Sequence, residues 1–372
     1  MKIFGIIRRA IFIFLLVAII IVWAVLKTNE NVAEVITQTV AKGYGKGLSY
    51  VSALAPHVSL TELLFVLIVV LSICLIVLAI RDFIKFRPFK AICRLLDIAL
   101  MVVTVIALYS VSCEAAYNRK KMPLPYYQEI VKHDQFVPIY NYFANDINTC
   151  IDSLEFNENG DVKEMPLNDL VKEIKEAYKI INNNPYFYNH FGNVKPMLSS
   201  FLYREFQITG VTFNPLAEAN INTLNTHSDM PLTVAHELAH TKGVMREDDA
   251  NKLAFYVCLN SDSPYLRYSV YCGYFDQLEV IASYLKDDEK PSLVTIKPEL
   301  YKTRSYVYSY WKKHDLLRNI GDFFNNLYIK SSGVEEGTAS YTIGTNDYEY
   351  DDTVNELSPS TYQSLFLEKY YR

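Results

Sequence analysis

The sequence predicts a mainly α-helical membrane protein, in which three N-terminal transmembrane helices precede an α+β outer domain with a small sheet. Three apolar stretches long enough to cross a bilayer, uncharged except for Asp97 near one end of the last, occur before about residue 113 of the 372. Apolar residues at helical spacing dominate the remainder. Residues 210–224 alternate polar with small or apolar residues instead, as strands do. The chain therefore divides into a membrane anchor at 1–113 and an outer domain at 114–372.

The predicted transmembrane helices cover residues 10–26, 63–80 and 95–113. Each is close to the length of apolar chain that crosses the hydrocarbon core of a bilayer. Because two arginines precede the first stretch, it also fits the apolar core of a secretory signal peptide. No small-x-small cleavage pattern follows Leu26, which favours an uncleaved helix.

Basic residues predict how these helices are oriented, since Lys and Arg in short loops are retained on the cytoplasmic side. The two basic clusters are Lys2, Arg8 and Arg9 at the start, and Arg81, Lys85, Arg87, Lys90 and Arg94 between the second and third stretches. Both clusters are cytoplasmic only if the spans number three. The pattern predicts a multi-pass protein of the cell membrane, with residues 27–62 and 114–372 outside the cytoplasm.

Charge separates the two parts of the chain as well. Residues 1–113 contain 11 Lys and Arg against 5 Asp and Glu, and the remaining residues contain 25 against 36. An acidic outer domain lacks the basic surface of a nucleic-acid binder, so nucleic acid is excluded as a partner. The lipid bilayer is the partner that the apolar stretches predict. No protein partner is indicated.

The cysteines allow two interpretations. Three of the six lie in or beside the predicted spans and three in the outer domain, so those three cannot all pair with one another. Cys258 and Cys272 form a disulfide in an oxidising compartment, or they are buried free thiols on aromatic-rich helices. Their spacing does not resemble a cysteine-based zinc site.

Most of the outer domain has the pattern of helices. Apolar residues recur at helical spacing over residues 167–181, before an Asn-Asn-Asn-Pro breaker, and the Tyr-rich segments 264–286 and 299–329 also look helical. Residues 210–224 are the predicted β segment. The stretch 331–345, which contains Gly, Ser and Thr, is typical of turns.

A capped helix is predicted just after the β segment. Ser228 or Asp229 suits its N-cap, Pro231 suits its first turn, and Gly243 is well placed to end it. This helix carries the motif His-Glu-Leu-Ala-His at residues 236–240.

The motif has the residue types and spacing of a metallohydrolase. Residues four apart lie one turn apart on the same face of a helix, so His236 and His240 can present two imidazoles to one cation. Zn²⁺ is the natural occupant of such a site. Glu237 would then take a proton from a zinc-activated water as general base.

A catalytic zinc ion usually has three protein ligands and one open position, so a third ligand is needed. In the pattern His-Glu-x-x-His-x-x-Gly-x-x-His the final position is here Arg246, which does not bind zinc. A second helix, predicted at 247–259, begins Glu-Asp-Asp-Ala-Asn and resembles the Glu-x-x-Ala-Asp helix of the CAAX-type membrane metallopeptidases. That resemblance implies that Glu247 is the third ligand and that Asn251 hydrogen-bonds a ligand. The rival ligands are Asp248, Asp249 and Glu279.

Several segments share a closer resemblance. They are Asn214-Pro215, residues 218–223, the 236–240 motif, residues 246–251, Tyr328-Ile329-Lys330 and Gly333. Together they look like the bacterial domain of unknown function 3810, whose members join a few N-terminal spans to an outer His-Glu-x-x-His domain. The resemblance implies a bacterial membrane-anchored, zinc metallopeptidase-like protein with a zincin-like (gluzincin-type) outer domain. Asp249 stands where Glu is expected in that family, and the family name supplies no substrate.

The strand before the motif is a candidate substrate-binding edge. In gluzincin-type peptidases such an edge commonly pairs with an extended substrate, and Glu218, Asn220 and Asn222 are the candidate contacts. Their short polar side chains fit an ordinary exposed strand equally well. The candidate residues for stabilising an oxyanion are His227, Arg246 and Tyr341.

The sequence therefore predicts a membrane-anchored, zinc-dependent metallopeptidase that hydrolyses peptide bonds in a peptide or protein substrate, with Glu237 as general base. The alternative is a noncatalytic, membrane-tethered module that binds peptide or cell wall and has a structural zinc site or has lost its zinc. A closed site with four protein ligands would indicate this alternative. Cleavage within the membrane fits poorly, because the motif lies far along the chain from the spans and is flanked by polar sequence.

Overall fold

The computed structural model describes residues 2–372, and the side chains of all of these except Lys2, Tyr328 and Ser331. The side chain of Tyr328, one of the residues that resemble the family, thus lies outside the described part. The chain is mainly helical and carries small sheets. Its helices, in order, are α1 (Lys2–Leu26), α2 (Glu30–Ile36), α3 (Lys42–Ser52), α4 (Leu60–Ile84), α5 (Pro88–Ser112), α6 (Phe136–Ser153), α7 (Leu167–Ala177), α8 (Ser200–Glu205), α9 (Met230–Thr241), α10 (Glu247–Leu259), α11 (Pro264–Tyr274), α12 (Asp276–Ser283), α13 (Pro298–Lys313), α14 (Arg318–Ser331) and α15 (Thr361–Tyr371).

Within the described residues, three helices are long and apolar enough to cross a membrane: α1, α4 and α5. At 1.5 Å per residue, a 25-residue helix is about 37 Å long, enough for the hydrocarbon core of a bilayer. Arg9 on α1 donates to both carboxylate oxygens of Asp97 on α5, at 2.6 and 2.9 Å. The three predicted spans are confirmed as helices, and they associate the chain with a membrane.

The segment between α1 and α4 packs on the second part of the chain. Arg119 donates to Glu34 of α2 at 2.7 Å, and Ser52 at the end of α3 donates to Glu218 at 2.8 Å. Residues 30–59, which the sequence pattern assigns to the anchor, are thus part of the folded unit that follows α5. Both segments therefore lie on the same side of the spans.

The core of the second part surrounds a hairpin of α9 and α10. Leu238 of α9 and Leu253 and Phe255 of α10 are fully buried. Helices α6, α7, α11 and α15 complete the same core. The helices predicted at 167–181, from Pro231 and at 247–259 are confirmed as α7 with a following 3₁₀ turn, α9 and α10. The Tyr-rich segments each divide into two helices, α11 with α12 and α13 with α14.

One small sheet lies beside the motif helix. Its strands are β2 (Asn193–Pro196), β3 (Gly210–Phe213) and β4 (Glu218–Ile221), in the order β2-β4-β3. Strand β4 pairs in parallel with β2 and antiparallel with β3. The prediction that residues 218–223 form a substrate-binding edge is therefore wrong, because β4 is the central strand and all its residues are buried.

A second sheet joins segments that are far apart in the sequence, so that the C-terminal segment pairs with the start of the outer domain. It contains β1 (Val131–Lys132), β5 (Glu349–Asp351) and β6 (Glu356–Ser358), in the order β1-β6-β5. All six cysteines fall within the described residues, and all six are free. Cys258 and Cys272 are both buried, so the structure has the free-thiol arrangement rather than the disulfide.

Candidate metal centre

The motif helix α9 begins at Met230, with Asp229 as N-cap and a proline in its first turn, and ends at Thr241. Its two histidines lie one turn apart, with the Nε2 atoms of His236 and His240 3.1 Å from each other. Only 6% of His240 is exposed to solvent. The helix thus presents two imidazole nitrogens to one point inside the protein.

A tight turn after α9 carries the chain back to that point. Gly243 has a φ of +86°, a left-handed conformation that favours glycine, and α10 starts at Glu247. Oε2 of Glu247 lies 3.1 Å from Nε2 of His236 and 3.6 Å from Nε2 of His240. The short spacing between the second histidine and the glutamate is therefore compatible with one shared site.

Two acceptors outside this cluster orient the imidazoles. Nδ1 of His236 lies 2.8 Å from Oδ1 of Asn251, and Nδ1 of His240 lies 2.8 Å from the backbone oxygen of Val244. If each Nδ1–H donates to its acceptor, each Nε2 keeps a lone pair for a cation. Asn251 thus stands where the resemblance to the CAAX-type enzymes placed it, against a histidine of the cluster.

Charge interactions at this cluster shift the pKa values of His240 and Glu247. Burial opposes the charged form of His240, but the nearby Glu247 carboxylate and then that of Glu237 outweigh burial and raise the pKa of His240 to about 9. Burial would likewise raise the pKa of Glu247, but the two histidines hold it well below its usual range. The carboxylate is therefore kept ionised, as a metal ligand must be, and a metal ion that binds here would displace the proton that the raised pKa keeps on His240.

Within the described residues, the His/Glu cluster that could hold a metal ion consists of His236, His240 and Glu247. Its ligand atoms all lie within 4.8 Å of one another. The rival ligands lie elsewhere. Asp248 accepts from Lys252 at 2.8 Å, Asp249 lies 3.8 Å from the same ammonium, and Glu279 lies on α12.

The carboxylate of Glu237 is buried beside this cluster and is held by β3. Thr212 Oγ1 lies 2.7 Å from Oε2 of Glu237 and 2.9 Å from its backbone oxygen. A Cβ on Gly210 would lie 2.6 Å from Oε1 of Glu237, so any larger residue at this position would displace the Glu237 side chain. Burial raises the pKa of Glu237. Sequence reasoning missed Thr212 and Gly210, although a glycine inside a strand is a recognised sign of close approach.

Of the three candidate oxyanion stabilisers, the structure brings Tyr341 to the site. Its ring centroid lies 6.5 Å from that of His236, and its hydroxyl accepts from Asn325 at 3.3 Å. Burial, followed by the charge of Glu247, raises the pKa of Tyr341 well above its usual value, so the hydroxyl keeps its proton. Arg246 instead pairs with Asp248 at 3.3 Å, and the His227 ring meets the backbone of Val162.

The three polar residues predicted to contact substrate serve the interior instead. Glu218 accepts from Ser52 Oγ and from the backbone N–H and Oγ1 of Thr61, each at 2.8 Å. Asn220 accepts from Ser59 Oγ at 2.7 Å, and Asn222 donates to Ile208 at 2.9 Å. These side chains are buried and join the sheet to its surroundings.

Two cavities meet at the cluster. A larger one of about 930 Å³ is lined by β3, α8, α9 and α14, and includes His236, Glu237 and Tyr341. A smaller one of about 280 Å³ includes all of the cluster together with Phe65 of α4 and Tyr109 of α5. The site therefore lies beside the ends of two spans, although the motif is far from them in sequence.

Comparison with known proteins identifies a family for this chain. A model of a family described as protein of unknown function (DUF3810) matches residues 36–345. The chain belongs to the DUF3810 family. No curated protein and no solved structure matches it. The DUF3810 match begins at the last residue of α2 and covers α4, α5, the cluster and α14, so two spans and the site belong to the same family unit.

Proposed function

We propose that this chain is a membrane-anchored, zinc-dependent metallopeptidase with a zincin-like outer domain. The observation that carries the proposal is the convergence of His236, His240 and Glu247 on one point, with the Glu237 carboxylate beside them and a cavity in front. The zincin-like part of the proposal rests on one arrangement, in which the helix with this motif lies beside the edge of a small sheet.

The donor set suits zinc. Two imidazole nitrogens and one carboxylate oxygen are the ligands of many catalytic zinc sites, and three protein ligands leave a position open for substrate. The hydrogen bonds that Asn251 and Val244 make with the histidines are the supporting contacts such sites need. A structural zinc site would have a fourth protein ligand, and the cluster found in the described residues has three members.

The surrounding groups support peptide hydrolysis as the reaction. A bound zinc ion would supply Lewis-acid chemistry, polarising the scissile carbonyl and making water easier to ionise. Glu237 takes the proton of the attacking water and passes it to the leaving amine. Thr212 holds the Glu237 carboxylate in place for both transfers. Tyr341 keeps its proton and can donate to the negative charge that develops on the carbonyl oxygen.

The strand that could receive a peptide is β3. Within the described chain β3 pairs on one side only, with β4, and Gly210 and Val211 line the larger cavity. An extended peptide could add to this free edge through backbone hydrogen bonds, which would place its carbonyl near Glu237. We therefore assign to β3 the substrate-binding edge that the sequence pattern predicted for β4.

The test compares the full-length chain with its Glu237→Gln variant in detergent. Both should retain zinc, measured by atomic emission, because Glu237 is not a ligand. Cleavage of a peptide library, followed by mass spectrometry, should fall about 100-fold or more in the variant, the usual loss when a general base is removed. Equal cleavage by both proteins would rule the mechanism out. Zinc retention without cleavage by either protein would favour a noncatalytic module.

A further inference from the structure

Helix α14 turns its apolar side outward. Ile320, Phe323, Phe324 and Leu327 recur at helical spacing on one face and are 49, 64, 62 and 58% exposed. The opposite face contains the buried Ile329 and faces the larger cavity with Asn325. An amphipathic helix of a water-soluble domain normally buries its apolar face. This face therefore requires an apolar partner outside the domain.

The short helix α8 extends the same surface. Leu198, two residues before it, and Phe201 in its first turn are 59 and 64% exposed. The end of α8 adjoins the start of α14, since the backbone N–H of Leu317 donates to Glu205 at 3.0 Å. We call the exposed side chains of Leu198, Phe201, Ile320, Phe323, Phe324 and Leu327 the α8–α14 apolar face.

Both ends of this pair of helices are attached to membrane spans. Glu62, in the first turn of α4, accepts from the backbone N–H groups of Leu198 and Ser199 at 2.5 and 3.0 Å. Tyr109, in the last turn of α5, lies with its hydroxyl 3.2 Å from that of Ser332, just after α14. The pair of helices that carries the apolar face is thus tied at both ends to helices long and apolar enough to cross a membrane.

We propose that the α8–α14 apolar face docks into the bilayer leaflet on the domain's side, with phospholipid acyl chains as its partner. The apolar side chains lie against lipid, and the polar side of α14 remains turned to the cavity. Leu202 and Phe324 line the larger cavity, so its mouth borders the lipid. The attachment to α4 and α5 at both ends holds this face close to the bilayer, which favours lipid over a second copy of the chain or a soluble protein.

Depth in the bilayer tests this proposal directly. The chain has two tryptophans, Trp23 and Trp311. A variant with both changed to Phe has no tryptophan fluorescence of its own. Phe323→Trp and Leu327→Trp are then introduced singly and reconstituted into phosphatidylcholine vesicles. The control is Val354→Trp, because Val354 has a similar exposure of 57% but lies in the turn between β5 and β6.

Phospholipids brominated on their acyl chains should quench the emission of the Phe323→Trp and Leu327→Trp variants, and should leave the Val354→Trp variant unchanged. Quenching of the first two by aqueous iodide instead would overturn the proposal. The proposal would also be overturned if neither reagent quenches the emission and the chain crosslinks to itself, because a second copy would then cover the face.

The unaltered chain provides a second measurement if the substitutions disturb folding. A phosphatidylcholine with a photoreactive group in its acyl chain is incorporated into the vesicles, and labelled peptides are identified by mass spectrometry. We expect label in residues 318–330 as well as in the spans, and none in residues 351–355. Label confined to the spans would contradict docking of α14.

Discussion

Thr212 and Gly210 together determine where the Glu237 carboxylate lies. The first supplies a hydroxyl at 2.7 Å, and the second leaves the space that a side chain would occupy. Both come from β3, 25 residues before the glutamate in the case of Thr212. A general base must be held within hydrogen-bonding reach of the proton it takes, so this strand is part of the catalytic arrangement that we propose.

Replacing Thr212 with Val keeps the shape of the side chain and removes the hydroxyl. A hydrogen bond to a charged group is worth about 1.5–3 kcal/mol, so kcat for peptide cleavage should fall about 10- to 100-fold with zinc content unchanged. Thr212→Ser, which keeps the hydroxyl, should retain most of the activity. Equal kcat values in the two variants would show that the hydroxyl does not position Glu237.

His190 provides a prediction for pH. Burial, together with the charges of Lys242, Lys42 and Lys46, lowers the pKa of His190 from 6.5 to about 4. Between these pH values His190 is protonated in the unfolded chain but neutral in the folded chain. Protonation therefore favours the unfolded chain, and the free energy of unfolding decreases as pH falls from about 6.5 to 4. Thermal unfolding across this window should be less sensitive to acid in His190→Asn than in the unaltered chain. An identical pH dependence in both proteins would exclude His190 as a cause.

At the scale of elements, the α9–α10 hairpin assembles the cluster. Helix α9 places both histidines on one face, and the turn at Gly243 returns the chain so that the first residue of α10 meets them. Arg119 donates to the backbone oxygen of Gly243 at 2.9 Å, which links this turn to the segment that follows α5. The spacing of six residues between His240 and Glu247 thus suffices because the turn is tight.

Gly243→Ala should disturb this hairpin more than the same change at Gly333. Both glycines have positive φ, where a side chain costs about 1–2 kcal/mol. A Cβ at Gly243 would also lie 2.7 Å from the Tyr188 ring, whereas nothing lies within 4 Å of one at Gly333. We expect a lower unfolding temperature and a faster loss of zinc to a chelator in Gly243→Ala. Similar values for the two variants would mean that the contact with Tyr188 has no effect.

For the whole molecule, buried polar groups join the spans to the site. Lys195 and Glu218 have fully buried side chains 3.8 Å apart, and Lys195 also donates to the backbone oxygen of Ser52 at 2.9 Å. Glu218 binds Thr61 at the start of α4. Strand β4 is therefore attached to α4, one of the helices long and apolar enough to cross a membrane. A chain truncated to residues 114–372 would lack these partners.

Glu218→Ala should destabilise the whole protein, because it leaves the ammonium of Lys195 buried without its counter-charge. Breaking a buried ion pair in this way costs about 3–5 kcal/mol. The matched control is Glu155→Ala, which breaks an exposed pair with Lys163 and should leave the unfolding transition in detergent unchanged. If the two variants unfold at the same denaturant concentration, the buried pair does not stabilise the fold.

Local sequence patterns predicted those features that depend on residues close together in the chain. The spans follow from length and hydropathy, and α9 and α10 follow from capping residues and helical spacing. The contact of His236 with His240 follows from the pitch of one helix. Glu247 required a resemblance as well, since the conformation of the turn decides whether α10 meets α9. Thr212 and Gly210 were missed, and Tyr341 was only one of three candidate oxyanion stabilisers, because only folding brings these residues to the helix.

By itself, the sequence determined the three apolar spans, the helix that carries two histidines and a glutamate, and the acidic start of the next helix. Each depends on interactions within one or two turns of the chain. Only the tertiary structure decided which strand is the edge. Glu218, Asn220 and Asn222 have the pattern of an exposed strand, yet they are buried, because partners from distant segments satisfy each polar group. The tertiary structure also placed the cluster beside α4 and α5, since a contact between distant segments leaves no periodic pattern in sequence.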